Sequence, residues 1–499
     1  MKKINYLLAA ALFIAAGCEK SPVDQGTTDA GDLYMQFSVK MLSTRSQTDN
    51  TGDSNSNADP DVEVGLDKEN TISSVDIVLV GGNTVKATNV VPSKANTSAY
   101  LAKFDTKELK AGATYKVYIY ANCSAPATVN LNEVSEATIG EMTADNKFWM
   151  TNAHAALDVT LPKDLAPYTQ PNTPLSLGAH EVERSMARFD YKAVKEGNKY
   201  DMGAGLSLTL TDAALINQSK AHYMFRRVTA GADATASGAV VGGVETPTNW
   251  VVDTDWESKT PAGFNAQLAA PGTWTWTKLA SLTTDDQYTG DYKIWCYAKE
   301  NTIPGIDAQK HNVSTGVVFK AEITADATAA STAVKDAMAA GKRIYVFNNV
   351  LYGAWSDVEA ATTTTENPEA LAAAYNQAKE GMAADATDPD LTKAADAGFT
   401  SYKATETAEG KKYYAYYYYW NRHNDNLDPY TMGTMEFAVV RNNVYKLAVN
   451  KIEKFGHPDP TEPDPDPVDP DDPDESVNYY FNVTVKVLPW TVRINNIEF

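Results

Sequence analysis

The side chains of this chain that could carry out acid–base or metal chemistry are widely scattered. The sequence contains no HExxH, GxSxG or glycine-rich phosphate-binding motif. A pair of carboxylates for glycoside hydrolysis cannot be recognised from sequence alone. The six histidines include no pair at metal-ligand spacing; they are His154, His180, His222, His311, His423 and His457. We therefore predict that the protein is not an enzyme, has no catalytic residues, and binds no cofactor and no metal.

One polar segment has a spacing similar to that of a calcium loop. Its candidate ligands are Asp53, Asn55, Asn57 and Asp59. Ala58 replaces the glycine that the turn of such a loop requires, and Val64 stands where the bidentate glutamate would be. These departures favour a solvated linker over a calcium site.

Cys18 is the first residue whose surroundings indicate a covalent modification. Residues 1–17 have the form of a signal peptide, with two lysines followed by an apolar run. The sequence Ala-Ala-Gly-Cys that ends at Cys18 resembles the lipobox of bacterial lipoproteins. This resemblance implies cleavage before Cys18 and attachment of lipid, including palmitate, to its thiol. The alternative is an ordinary signal peptide followed by an unmodified cysteine.

Arg45 is the second candidate for processing. It is the only arginine before Arg184, and it begins a loop rich in Asp, Asn, Ser and Gly. Such a loop is exposed and readily cut, so an arginine-specific protease could cleave between Arg45 and Ser46. Residues 18–45 would then be a propeptide. The alternative is a surface arginine with no role.

The element that precedes Arg45 is a predicted strand over 33–42. Its apolar and polar residues alternate with period two, which is typical of a strand with one buried face. The apolar set is Leu33, Met35, Phe37, Val39 and Met41. Cleavage after Arg45 would remove this strand, and the remaining sheet would have an open groove that could template another strand.

The C-terminal end offers a strand of the same kind on a long tether. Residues 457–475 form an acidic, proline-rich linker, which predicts an extended chain of about 3.1 Å per residue. Residues 476–499 follow as a candidate donor strand region, interrupted by Pro489, which lacks an N–H for a ladder. Which side of Pro489 is donated stays open. Two alternating sets supply its apolar face: Phe481, Val483, Val485 and Val487, then Trp490, Val492 and Ile494. Donation to a neighbouring copy is head-to-tail and generates a filament.

Composition limits the class of protein. The 499 residues carry a net charge of −21 and an isoelectric point near 4.7, which argues against a nucleic-acid partner. Cys123 and Cys296 are predicted to be free and buried.

Short alternating segments predict an all-β chain of two β-sandwich domains, 46–180 and 181–456, with helices inserted at 367–381 and 388–398. Strands are expected within 71–80, 114–122, 157–161, 175–177, 181–194, 206–215, 291–300, 343–352, 412–420 and 435–452.

Taken together, these segments resemble the stalk fimbrillins of Bacteroidales, most closely the shaft subunit of the short (minor) fimbriae. The resemblance covers essentially the whole chain. It rests on the lipobox, the strand before Arg45, SLGAHEVERSMARFDYKA, YYYYWNRHNDN, MEFAVVRNNVYKLAVNKIEKFG, the acidic linker and VKVLPWTVRINNIEF. It implies two transthyretin-like β-sandwich domains, export as a lipoprotein to the outer membrane, maturation by an arginine-specific protease, and polymerisation by donor-strand exchange. Identical subunits, with accessory anchor and tip subunits, are then the partners of an extracellular fimbrium that supports adhesion and biofilm formation.

The alternative is a protein of a different class. A monomeric, lipid-anchored protein that binds glycans would use exposed aromatic rings as sugar platforms. The candidates are Trp250, Trp256, Trp274 and Trp276. This alternative has no use for a tethered terminal strand or for removal of the first one.

Overall fold

The computed structural model describes residues 31–41, 63–94, 98–130, 132–232, 235–257, 259–283, 291–309, 313–364, 368–383, 386–424, 426, 428, 431–460 and 481–491. The expected all-β class with a few short helices is confirmed. In the first part of the chain the strands are β1 (Asp32–Met41), β2 (Glu63–Val64), β3 (Val75–Val80), β4 (Thr84–Val90), β5 (Ala99–Asp105), β6 (Thr114–Ala121), β7 (Val134–Ser135), β8 (Met150–Asn152), β9 (Leu157–Thr160) and β10 (Leu175–Arg184). The helices are α1 (Asp67–Asn70), α2 (Ile139–Met142), α3 (Thr332–Ala340), α4 (Trp355–Ala361), α5 (Pro368–Ala378) and α6 (Leu391–Asp396).

The second part of the chain contains the remaining described strands. These are β11 (Ala187–Ala193), β12 (Lys199–Gly203), β13 (Leu206–Ile216), β14 (Gln218–Ser219), β15 (His222–Tyr223), β16 (Arg227–Val228), β17 (Val240–Val241), β18 (Phe264–Asn265), β19 (Thr277–Lys278), β20 (Lys293–Ala298), β21 (Gly316–Ala325), β22 (Ile344–Phe347), β23 (Val350–Tyr352), β24 (Thr400–Tyr402), β25 (Thr405–Thr407), β26 (Gly410–Trp420), β27 (Asn443–Ile452) and β28 (Phe481–Thr491).

The first domain is built on one sheet of the order β4-β3-β6-β8-β10-β1-β5, with β9 also paired to β6. A bridge between Pro92 and Tyr100 brings the chain after β4 to β5, at the other end of this order. The sheet therefore curls around an apolar core, to which β1, β3, β5 and β6 all contribute buried side chains. Burial of these alternating faces is the main stabilising term for the domain.

The second domain is a sandwich of two sheets. One has the order β2-β28-β27-β11-β20, and the other has the order β12-β13-β21-β26-β25 with β19 beside β13. Aromatic rings join the layers: Tyr191 of β11 lies 5.9 Å from Phe319 of β21, measured between ring centroids. Phe189 and Tyr445 stack within the first layer at 5.0 Å.

A helical insert lies beside this sandwich. The helices α4, α5 and α6 pack with β22, β23 and β24 on a separate apolar cluster around Trp355. The ring of Trp355 stacks on Tyr375 of α5 at 5.2 Å and meets Phe399 edge-on at 4.9 Å. The helices predicted at 367–381 and 388–398 are present as α5 and α6, whereas α3 and α4 were not predicted.

Two strand boundaries differ from the sequence-based expectation. The segment 181–194 is not one strand, because β10 ends at Arg184 in the first sheet and β11 begins at Ala187 in the second. The strand expected over 435–452 covers only Asn443–Ile452, since Met435 and Asn442 adopt positive φ angles of 55° and 58° that interrupt an extended chain.

Candidate functional site: the first strand and the last strand

Strand β1 is an interior strand of the first sheet, although it comes from the beginning of the described chain. It runs parallel to β10, from Met35 opposite Leu175 to Met41 opposite Val182. On its other side it runs antiparallel to β5, from Asp32 opposite Asp105 to Ser38 opposite Ala99. Both edges of the backbone are thus engaged by strands that lie far from it in sequence.

The apolar face of β1 lies entirely in the core of the first domain. All five residues predicted for this face are buried, with exposed fractions between 0% and 7%: Leu33, Met35, Phe37, Val39 and Met41. Phe37 stacks on Tyr100 of β5 with the ring centroids 5.4 Å apart, and it meets the His180 ring of β10 edge-on at 6.4 Å. Full burial of side chains of this size stabilises by about 1.5–3 kcal/mol each, so the set contributes on the order of 10 kcal/mol before the entropy of ordering the strand is subtracted.

The outer face of β1 makes weaker contacts. Lys40 forms an ion pair with Glu181 at 3.2 Å, and Lys103 forms one with Asp32 at 2.7 Å. Both lysine side chains are 58% exposed, so each pair is worth at most about 1 kcal/mol. The apolar face therefore holds β1 in place.

Removal of β1 would expose two strands at once. β5 and β10 would each lose a hydrogen-bonding partner, and the apolar side chains that now cover Phe37 would line an open slot between them. We call this space, bounded by β5 and β10 and filled by β1, the strand slot. An unpaired edge beside an exposed apolar groove is a template for a strand of alternating polarity.

Strand β28 is the last strand of the described chain, and it pairs with a strand of its own subunit. It runs antiparallel to β27, with Val485 opposite Leu447 and Pro489 opposite Asn443. The predicted interruption at Pro489 is therefore wrong, because the strand continues to Thr491. One side of β28 pairs with β27. On its other side, the pairing seen among the described residues is that of its last two residues with the two residues of β2, so Pro489 lies before that ladder begins.

A buried ionic network joins the two domains beside these strands, and sequence analysis missed it. Arg188 of β11 binds Glu69 of α1 at 2.9 Å and holds Asp190 through two parallel hydrogen bonds, each also 2.9 Å long. Glu69 also accepts a hydrogen bond from the Tyr297 hydroxyl at 2.7 Å. Arg184 of β10 donates to the Glu69 backbone oxygen at 3.2 Å, and burial lowers the pKa of its guanidinium. The only sequence signal is the presence of charged residues at the centre of an apolar strand pattern.

Several predicted site residues lie outside the described part of the chain. These are the lipidation candidate Cys18, the cleavage pair Arg45 and Ser46, and the last two donor residues, Val492 and Ile494. The calcium-like segment around Asp53 to Asp59 lies outside it as well. Phe481, Val483, Val485, Val487 and Trp490 all belong to β28.

Three of the four aromatic candidates for glycan binding are buried, which corrects the expectation that these rings are exposed. Trp250, Trp256 and Trp274 are exposed by only 0%, 3% and 6%. Trp276 is half-buried and packs against Trp274 at 5.7 Å and Tyr416 at 6.1 Å. Trp250 and Trp256 thus supply apolar rings to the interior, because tryptophan is too large and apolar to leave in water. Trp250, Trp256 and Trp274 are therefore too deeply buried to stack on sugars.

Other chemistry finds little support in the described residues. They contain no group of three or more His, Cys, Asp or Glu side chains placed to hold a metal ion. No helix among them combines the length and the apolar character needed to span a membrane. Cys123 and Cys296 are free as predicted, but both are half-buried and not fully buried. Desolvation raises the pKa of both thiols, which makes them poor nucleophiles.

Comparison with known sequence families finds two matches at the ends of the chain. The family described as "Major fimbrial subunit protein (FimA)" matches residues 35–184, which include most of β1 and end with β10. The family described as "Major fimbrial subunit protein type IV, Fimbrillin, C-terminal" matches residues 411–496, which include β27 and β28. No curated protein sequence matches the chain.

Several solved structures are similar to this chain over most of its length. A fimbrilin (FimA) from Porphyromonas gingivalis W83 is 15% identical, covers 93% of this chain and 98% of its own, and superposes with a TM-score of 0.43. A putative cell adhesion protein from Parabacteroides distasonis is 11% identical, with 93% and 99% coverage and a TM-score of 0.38. The tip fimbrial protein Mfa3 from P. gingivalis, with a C-terminal truncation, is 10% identical, with 92% and 100% coverage and a TM-score of 0.34.

Proposed function

Because this chain belongs to the Bacteroidales fimbrillin family, we propose that it is the shaft subunit of a cell-surface fimbrium, cleaved after Arg45 and polymerised by donor-strand exchange. The observation that carries the proposal is the position of β1. It is an interior strand of the first sheet, yet a single cut after it would release it together with the chain that precedes it. An interior strand of this kind has a structural reason to be removable only if another strand replaces it.

The chain carries a strand suited to that replacement. β28 contains 11 residues and β1 contains 10, so β28 is long enough to fill the strand slot. The 19 residues of the linker 457–475 could span roughly 60 Å when extended, which is enough to reach a neighbouring subunit. In the proposal, β28 rests on β27 of its own subunit before assembly. Either β28 or the segment with Val492 and Ile494 enters the slot of the next copy.

Export and maturation follow from the same proposal. The precursor is lipidated at Cys18 and held at the outer membrane, and an arginine-specific protease separates Arg45 from Ser46. The lipidated propeptide then leaves with its strand. Head-to-tail insertion does not close on itself, so identical subunits form a filament to which accessory anchor and tip subunits are added. The fimbrium is the structure through which the cells adhere and form biofilm.

The first experiment treats purified precursor with an arginine-specific protease and reads the new N-terminus together with the size distribution. We expect a chain that starts at Ser46 and a ladder of oligomers that resist denaturant. The matched variants are Arg45→Ala and Arg45→Lys, of which the second keeps the positive charge but removes the protease's preferred residue. A cut product that stays monomeric would refute strand exchange between copies of this chain, and normal filaments from Arg45→Ala would remove Arg45 from the mechanism.

The donor is tested by deleting residues 479–499. The truncated subunit should fold, be cleaved and remain monomeric. A synthetic peptide with the deleted sequence could bind at the vacated edge of β27 before cleavage, and cleavage should add a second binding site for it in the strand slot. A finer comparison uses Val485→Asp against Thr484→Asp, since these neighbouring positions have opposite phase in the alternating pattern. Long fibres from the truncated subunit would show that the donor assignment is wrong.

A further inference from the structure

A lysine is buried among three side-chain oxygens in the second domain, away from the strand slot. The Lys259 ammonium contacts Oδ1 of Asp255 at 2.6 Å, Oδ1 of Asn301 at 3.0 Å, and Oδ2 of Asp253. The side chains of Lys259 and Asp253 are only 6% and 1% exposed. A primary amine, a carboxamide and buried carboxylates therefore share one small site.

The site is shielded by an apolar wall. Trp250 and Trp256 meet edge-to-face at 5.7 Å, and Val251 and Val252, which precede Asp253, are fully buried in the same cluster. Burial raises the pKa of the Asp253 carboxyl, although the nearby lysine opposes the shift. The Asp253 Oδ1 atom is buried without a hydrogen-bond partner, which suits a carboxyl group that takes up a proton.

The geometry around the Asn301 amide nitrogen is unusual. Nδ2 lies 2.9 Å from the Val313 carbonyl oxygen, 3.1 Å from the Asn217 carbonyl oxygen and 2.9 Å from Oγ1 of Thr315. The Thr315 hydroxyl hydrogen is directed to the Asn217 oxygen at 3.0 Å, so its oxygen is free to accept. A planar amide NH₂ has two hydrogens but meets three acceptors here, whereas a departing ammonia molecule could satisfy all three.

The reacting groups are held in place by the backbone. Asn301 exchanges two backbone hydrogen bonds of 2.9 Å with Val439, and Thr302 N–H donates to Asp253 Oδ2 at 2.7 Å. Gly263 lets the Asp255 carboxylate approach closely, because a Cβ at this position would lie 2.8 Å from its Oδ2 atom. Fixed reactants of this kind lower the entropic part of a reaction barrier.

We propose that Lys259 and Asn301 form an intramolecular isopeptide bond in the folded protein, with Asp253 as the group that moves the protons. The Lys259 ammonium gives one proton to the Asp253 carboxylate, and the neutral Nζ forms a bond to Cγ of Asn301. Asp253 delivers this proton to Nδ2 and, as a carboxylate again, takes up the second proton from Nζ. The Cγ–Nδ2 bond then breaks, and ammonia leaves. The products are one amide bond and one ammonia, and no oxidant or other reactant is consumed.

The bond would join the loop that carries Lys259 to the segment after β20. It would close this part of the second domain covalently, so that tension on the chain could not separate the two segments. The reaction needs neither cleavage after Arg45 nor strand exchange. A result that refutes polymerisation by strand exchange would therefore not refute the isopeptide bond. Equally, absence of the bond would not refute strand exchange.

The test is peptide mapping of the full-length chain by mass spectrometry. We expect the intact protein to be lighter than its sequence by one ammonia, about 17 Da, after the mass of any lipid or removed segment is accounted for. Trypsin should yield a branched species that joins the peptide containing Lys259 to the peptide 300–310. Loss of one water with a branch between Lys259 and Asp253 would overturn the choice of Asn301, and an unmodified Lys259 would overturn the bond itself.

Three variants support the interpretation of the map. Lys259→Arg keeps the charge but cannot form the amide, and Asp253→Asn keeps the shape but cannot move the protons, so both should retain the full mass. Lys220→Arg is the matched control, because the Lys220 Nζ atom donates to the Ala262 carbonyl of the same loop at 2.9 Å without meeting a carboxamide. It should lose ammonia like the parent chain. Equal loss in Asp253→Asn would rule out the role of Asp253.

Discussion

Truncation of Phe37 in the uncleaved chain should loosen β1 selectively. Phe37 is 2% exposed and is held between Tyr100 of β5 and His180 of β10. Phe→Ala substitutions in such surroundings cost about 3–5 kcal/mol, because they lose both the apolar contacts and the space that neighbours cannot refill. At about 1.4 kcal/mol per factor of ten, release of β1 should become between about a hundredfold and a few thousandfold more frequent.

Amide hydrogen exchange over Ala99–Asp105 measures this release directly. These residues form β5, which pairs with β1 over seven register positions and becomes an edge when β1 leaves. The exchange rate of the β5 amides in Phe37→Ala should rise by the factor given above, whereas β26 amides in the other domain should exchange as before. The altered precursor should also bind the 479–499 peptide without protease.

Gln36→Ala is the matched control for this experiment. Gln36 neighbours Phe37 on the same strand but lies on the exposed face, so its truncation should change stability by less than about 0.5 kcal/mol. Unchanged β5 exchange in Phe37→Ala, or an equal change in both variants, would refute the view that the apolar face of β1 holds it in the strand slot.

Three further predictions concern stability. Burial lowers the pKa of His180, so the unfolded chain binds a proton more readily than the folded one. The free energy of unfolding should therefore keep its full value above about pH 6.5 and decrease as the pH drops below that value. In His180→Gln this decrease, measured by denaturant titration, should be smaller. Arg188→Met should cost about 3–5 kcal/mol because it removes the cation that contacts the buried carboxylates of Glu69 and Asp190. Lys192→Met, whose partner is 79% exposed, should cost less than about 1 kcal/mol, and equal effects of the two substitutions would contradict the stabilising role of the buried network. Gly205→Ala should lower the melting temperature more than Gly203→Ala. Both glycines have a positive φ, but only at Gly205 would an added Cβ lie 2.3 Å from a backbone atom. Similar decreases in melting temperature would show that the backbone conformation, and not the close contact, determines the effect.

The parts of the candidate site that could be predicted from the sequence are those in which polar and apolar residues alternate along the chain. The period-two pattern of 33–42 predicted a strand with five buried residues, because alternate side chains of any strand lie on opposite faces. The same rule located most of the long strands, including β13, β26 and β27. It could not show that Pro489 lies within a continuous strand, since that depends on which neighbours pair with each side of β28.

The buried charges were beyond prediction for a related reason. Glu69, Arg188 and Asp190 are ordinary surface residues by type, and the partners of Arg188 are separated from it by 119 and 2 positions. Only the folded chain brings the two domains together so that each charge is paired and hydrogen-bonded. The same holds for Lys259 and Asn301, which lie 42 positions apart.

The sequence by itself determined the β class of the protein, the amphipathic first strand, the acidic tether and the apolar alternation at the C-terminal end. These properties depend on residue type and on spacings of a few residues, which local sterics and hydrophobicity translate directly into structure. The tertiary structure decided that β1 lies between β5 and β10, that β28 rests on β27, and that the tryptophans of 250–274 are interior. Strand partners and burial are set by contacts between distant segments, and no local pattern encodes which of several compatible edges a strand will meet.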